Sequence, residues 1–202
     1  MNPNYRLDTK RIQSLTDATF AVAMTILILE VKVPPGLDPK ELNLYFISDI
    51  FPELFIYAIG FVTLGIFWID SHFHHHLMVD TDKFSSWLNI IFLMIICLIP
   101  FSISFMRNYR EDPLSIIFYS LNLIWACIAH MIMLCYAWKK GYTNPRYTRK
   151  DFRQAVARNL IPIGCYLLII PVAFLSTDVA PFLFFVPIIL HLLMKSENGL
   201  HD

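Results

Sequence analysis

Apolar residues along this chain do not alternate with polar ones. They gather in runs about as long as a bilayer is thick, separated by short polar stretches. A spanning helix needs roughly 20 predominantly apolar residues. Six segments approach or meet that length: Leu15 to Val33, Phe51 to Ile69, Trp87 to Met106, Leu114 to Trp138, Leu160 to Leu175 and Pro181 to Met194. The first stops at Pro34-Pro35. The last two are short and carry Pro162, Pro171 and Pro187. Membrane helices tolerate proline where neighbours resatisfy the freed backbone, so two spans are expected there rather than a re-entrant pair. The period-2 pattern of a membrane β-barrel is missing from the sequence. The expectation is an all-α membrane protein, one six-helix unit over residues 1–202.

Composition supports this. The chain is 56% hydrophobic, with a mean hydropathy of +0.55. Only 16% of residues are charged, and the formal net charge is zero, so no electrostatic footprint for nucleic acid exists. Cys97, Cys127, Cys135 and Cys165 lie inside apolar runs without paired spacing. They read as packing residues rather than as disulfides or a zinc site. The polar N-terminus and long first run, with no small-residue cleavage site, read as a retained membrane helix rather than a signal peptide.

Charge placement sets the expected orientation. Six spans put both termini on one side. That side collects twelve basic residues, seven of them between segments four and five. The other side holds four: Lys32, Lys40, Arg107 and Arg110. The positive-inside rule makes the richer side cytoplasmic. Between Tyr147 and Asn159 the connector is basic and partly apolar, and Thr148 precedes Asp151 by three residues, as in a helix-start box. A short interfacial helix and a solvated loop are equally good readings of it.

The first segment holds the most information. Asp17 lies just inside it, and a carboxylate there costs about 2.5 to 3.5 kcal/mol at bilayer centre, less near the interface. It reads either as a helix-start carboxylate favoured by the macrodipole or as a group with a polar partner. Arg11, the nearest cation, is six positions away, which is not helix-neighbour spacing. Small residues after Asp17 allow close helix approach. One face carries Ala18, Val22, Thr25, Ile26 and Leu29; another carries Asp17, Ala21, Met24 and Ile28. Periodicity does not say which face meets lipid, a neighbour or a pore. Glu30 at the segment's end reads first as a carboxylate paired to Lys32. With Asp38 and Glu41, it is also a candidate for concentrating cations.

The run from Arg11 through Leu15, Thr16, Asp17 and on to Leu27 resembles the first-helix signature of the transmembrane protein 175 family, Arg-x-x-x-Phe-Ser-Asp followed by small and aliphatic residues. Leu15 stands where the signature has Phe, and Thr16 where it has Ser. Phe67-Trp68 with histidines after it, Leu88-Asn89 with Phe92, and Pro100-Phe101-Ser102 are also similar to that family. The resemblance implies a potassium-permeable channel, weakly potassium-selective and built from four copies, with the first helix of each lining the pore. Val22 would match the apolar constriction and Thr25 the hydroxyl a turn further, with Ile26 and Leu29 continuing the stripe. Arg11, Thr16 and Asp17, joined by His72, would form a structural polar lock, and Glu30 would lie at the outer mouth. A ring of branched aliphatic side chains closes a pore by dewetting. The implied setting is a bacterial inner membrane, and the implied partners are lipid, monovalent cations and identical copies, with no cofactor.

Histidines supply the rival reading. His72, His75 and His76 share a face if the second helix continues, at metal-ligand spacing, yet an interfacial cap is favoured over a metal site. His130 and His191 are the one intramembrane pair that could serve haem in a membrane oxidoreductase. Without a haem they read as hydrogen-bonded structural histidines. A secondary transporter would need inverted repeats, and no clear repeat occurs. No Gly-x-Ser-x-Gly, His-Glu-x-x-His or P-loop is present.

Overall fold

A computed structural model describes residues 9–31 and 45–194. Its elements are α1 (Thr9–Leu29), a π-helical turn (Phe46–Ile50) running into α2 (Phe51–Leu77), α3 (Lys83–Cys97), α4 (Ile99–Asn108), α5 (Pro113–Lys140), α6 (Arg149–Leu175), a 3-10 turn (Ala180–Phe184) and α7 (Phe185–Met194). No strand occurs among the described residues; a single bridge joins Met78 to Thr143. Five stretches are long and apolar enough to cross a membrane, the third being α3 and α4 together, and Ala180–Leu193 is a shorter apolar one.

Boundaries differ from the sequence expectation in physically informative ways. The first helix is already formed at Thr9, the first described residue, six positions before the apolar run starts. It ends at Leu29, and the expected stop at Val33 with Pro34-Pro35 lies outside the described residues. The second continues through the histidines to Leu77. The connector after Tyr147 is neither a separate interfacial helix nor a loop. It is the start of α6, which runs unbroken over 27 residues with Pro162 and Pro171 inside it. Its start is a capping box: the Thr148 hydroxyl accepts from Asp151 N, and Thr148 N donates to the Asp151 carboxylate at 2.8 Å.

Helices alternate in direction. The C-terminal ends of α2 and α5 and the N-terminal ends of α3 and α6 meet at one end, where two connectors pair (Val79 N to Tyr142 O, 2.9 Å; Asn144 N to Leu77 O, 2.9 Å). Asp82 organises this end. Its carboxylate caps α3 at Ser85 N (2.8 Å) and accepts from the Tyr136 and Tyr142 hydroxyls at 2.7 and 3.1 Å. Partial burial raises its pKa, but these hydrogen bonds outweigh that, so the carboxyl lies below its usual range.

The core is apolar and dense. Phe20, Ile59, Leu64, Phe92, Ile96, Tyr119 and Phe184 are essentially sealed. Gly60 lies where α2 crosses α4, and an added Cβ there would displace the tip of the Ile103 side chain. The third span breaks at Leu98. Pro100 has no N–H for the ladder, so nearby backbone groups need other partners. Asn122 on α5 supplies them. In the amide orientation that satisfies both of its ends, it donates to Ile95 O and accepts from Ile99 N, each at 3.2 Å, and accepts from Ser102 Oγ at 2.7 Å.

Two outcomes test these joints. Asn122→Leu is expected to lose about 1–2 kcal/mol of stability, read as a lower unfolding temperature in detergent, because it strips three bonds from a buried break. Asp82→Ala is expected to cost about 1–2 kcal/mol at pH 7 through the lost cap and tyrosine bonds. A depressed folded-state pKa stabilises above the unfolded value of about 3.9 and is lost as pH falls through the lower folded value, so the wild-type advantage should shrink below about pH 4.

Candidate functional site: the first helix and its anchors

The α1 helix attaches to the bundle by a narrow face. Thr16, Phe20, Ala23 and Leu27 are buried at helical spacing. Beside that face lies a polar cluster. The Trp68 indole N–H donates to Asp17 Oδ1 at 2.9 Å. Asn89 Nδ2 donates to Thr16 Oγ1 at 3.1 Å. Gln13 Nε2 lies 3.4 Å from His72 Nδ1, and the His72 ring lies 5.7 Å from that of Trp68. An intramembrane carboxylate without a partner would be costly, and the indole N–H supplies a partner for Asp17.

Thr16, Asp17 and His72 thus gather at the contact of α1 with α2 and α3. Arg11 does not take part: it is exposed, and among the described residues the bond to Asp17 comes from Trp68 instead. The lone amide Asn89 in an otherwise apolar segment was the available signal for Thr16's partner. Trp68 was visible only as part of a motif, without a role.

The opposite end of α1 is tied by charge. Arg107, almost fully buried, lies 3.7 Å from both Glu30 and Glu53, and the Ser104 hydroxyl donates to Glu30 at 2.7 Å. Lys32, the expected partner of Glu30, lies outside the described residues. Sequence reasoning counted Arg107 as a flanking cation and missed this triad, because helix break and register bring its members together.

Among the described residues, the remaining face of α1 packs against no other helix. Val22 is 56% exposed, Ile26 41% and Leu29 74%, and Ala18 and Thr25 are exposed as well. The Thr25 hydroxyl donates back to the helix carbonyls of Ala21 (3.0 Å) and Val22 (2.9 Å), which leaves its lone pairs turned outward as acceptors. A groove of about 560 Å³ runs beside this stripe, lined by Val22, Ile26 and Glu30 on one wall and Pro100, Phe101 and Ser104 on the other.

The histidines are placed separately. His75 is buried and bonds the Ser71 carbonyl at 2.7 Å, whereas His72 and His76 are exposed. No group of three or more His, Cys, Asp or Glu with metal-binding geometry occurs among the described residues. His130 Nδ1 meets Asn159 Oδ1 at 3.0 Å, with its ring against His74 and Phe92. His191 lies 3.7 Å from Asp70. The two cavities beside them are about 20 Å³ each, room for a water molecule but not for a porphyrin.

A multi-pass helical membrane protein with a polar-anchored first helix is the class this geometry defines. The family profile described as endosomal/lysosomal potassium channel TMEM175 matches residues 11–100, a little under half of the chain. The chain is 26% identical over 174 residues to a protein of Streptomyces collinus described as a potassium channel, covering 84% of each. Its fold is similar to the crystal structure of a lysosomal potassium-selective channel TMEM175 homolog from Chamaesiphon minutus, with a TM-score of 0.78 at 21% identity over 94% of this chain and 98% of that one. A crystallised variant of the potassium channel MtTMEM175 has a TM-score of 0.65 at 18% identity, covering 97% of each chain.

Replacing Trp68 by Phe keeps the ring and removes the N–H bonded to Asp17. It is expected to lower stability by about 0.5–1 kcal/mol, and Asp17→Asn in the same background should cost less than it does alone. A double-mutant cycle on unfolding temperature measures the coupling.

Proposed function

We propose that this chain is a potassium-permeable cation channel of a bacterial inner membrane, with both termini cytoplasmic and the pore enclosed by α1 of four identical copies. The observation that carries the reading is the unpartnered stripe of Ala18, Val22, Thr25, Ile26 and Leu29 on a helix whose opposite side is anchored. A helix held so firmly on one side, with apolar and hydroxyl groups on the other, suits a pore wall or the edge of one. One helix cannot enclose a pore, and closed cyclic symmetry is the expected arrangement.

In this reading Val22 forms the constriction, and ions pass when the ring widens enough to stay wet. Thr25 offers acceptor oxygens to a partly dehydrated cation. No Thr-Val-Gly-Tyr-Gly filter is present in the sequence, so selectivity is weak. Glu30 faces the groove near the outer end, and Arg107 neutralises part of its charge, which tempers its pull on cations. The lock of Thr16 and Asp17 with α2 and α3 holds the register of the stripe, with His72 beside it and Arg11 flanking it. The charge count supports cytoplasmic termini, since the basic-rich end is also where α1 begins.

Potassium flux from liposomes holding the purified protein tests this, compared with Val22→Asn. Wild-type flux is expected, with the mutant changed severalfold because a polar ring stays hydrated. Equal substitutions at Ala21 and Ile28 should have smaller effects. Equal changes at all three positions would overturn the pore-face assignment, and no flux under any imposed voltage would overturn the channel.

A further inference from the structure

The chain as a whole is electrically neutral, yet residues 139–158 hold seven lysines and arginines against one acid, Asp151. That acid is committed locally, since its carboxylate accepts from Thr148 N and from the Thr148 hydroxyl. The neighbouring Asp82 is taken up by Ser85, Tyr136 and Tyr142. Lys140 rests over the Tyr136 ring. Among the described residues, no carboxylate forms an ion pair with Arg149, Lys150 or Arg153, and all three are exposed.

A second, independent feature lies directly along the helix from them. At 100° per residue, Arg149, Lys150 and Arg153 share one side of α6. Ala157, Leu160, Gly164, Leu167 and Leu168 follow on that same side, and every one is exposed. Leu168 reaches 70%. Gly164 opens a notch there, with nothing within 4 Å of an added Cβ. From Ala157 to Leu168 the helix rises about 16 Å, close to half of a hydrocarbon core of about 30 Å. Trp138 stacks on Phe152 at 4.8 Å at the level of the cations, where interfacial aromatics sit.

We propose that this side of α6 binds an anionic phospholipid, its phosphate held by Arg149, Lys150 and Arg153 and one acyl chain laid along the apolar stripe. Each part answers a different part of the lipid. Guanidinium forks match phosphate oxygens in pairs, and the stripe has the length of one leaflet. A positive patch that only sets topology needs neither the shared side nor the length match. The site does not depend on ion conduction.

Native mass spectrometry of the full-length protein, stripped of lipid in neutral detergent, tests it. The probes are phosphatidylglycerol and phosphatidylcholine with identical acyl chains. The wild type is expected to retain phosphatidylglycerol preferentially. Arg149→Gln, Lys150→Gln and Arg153→Gln together should reduce that preference by about tenfold to a hundredfold, whereas Arg149→Lys with Arg153→Lys should keep the charge-based part of it and lose the part owed to the guanidinium fork. Raising salt should abolish the preference in the wild type, which keeps the proposal testable even if the triple variant folds poorly. Equal retention of the two lipids, an unchanged preference in the triple variant, or insensitivity to salt would overturn it. Retention of inorganic phosphate in place of the lipid would overturn it too.

Discussion

A carboxylate placed on a helix that crosses hydrocarbon has to be answered by another group, and the rest of this fold is arranged around the answer to Asp17. The Trp68 indole meets it at 2.9 Å, and Asn89 meets the neighbouring Thr16. Neither bond is strong by itself, since interhelical hydrogen bonds in membranes average under about 1 kcal/mol. Their importance is directional. Apolar packing among Phe20, Ala23 and Leu27 would tolerate small rotations of α1, whereas two polar bonds to two different helices do not. They therefore fix which side of α1 is left uncovered.

The same accounting explains the interrupted third span. A proline-broken helix in lipid exposes backbone groups that water cannot reach. Asn122 closes that gap from α5, and Arg107 beyond the break is drawn between Glu30 and Glu53. Buried charge of this kind is weak evidence of stability, because desolvation offsets much of the attraction. It does bear on position: Arg107 sits where Glu30, just past the end of α1, and Glu53 of α2 converge.

Apolar run length made the spanning helices legible, since the bilayer imposes a length that composition reveals directly. The capping box at Thr148 and Asp151 was legible for a similar reason, being local chemistry at fixed spacing. What local pattern could not show was where α6 begins relative to the apolar run: capping and packing of Phe152 on Trp138 extend the helix well below it. At the candidate site, Thr16, Asp17 and His72 were readable as a motif. The roles of Trp68, Asn89 and Arg107 were not, because each is set by a contact with a residue more than fifty positions away. Arg11, read as part of the lock, stands outside its bonds.

The break at Leu98 has a mechanical consequence for α1. One attachment of α1, Thr16 to Asn89, is made to the segment before the break, and another, Glu30 to Ser104, to the segment after it. One rigid rod is thus riveted at two points to a jointed one. Any flexing of the joint changes the spacing of the rivets, and a rod of fixed length answers by leaning or by letting one rivet go. Flexing at the joint would therefore be felt as a change in the tilt of α1.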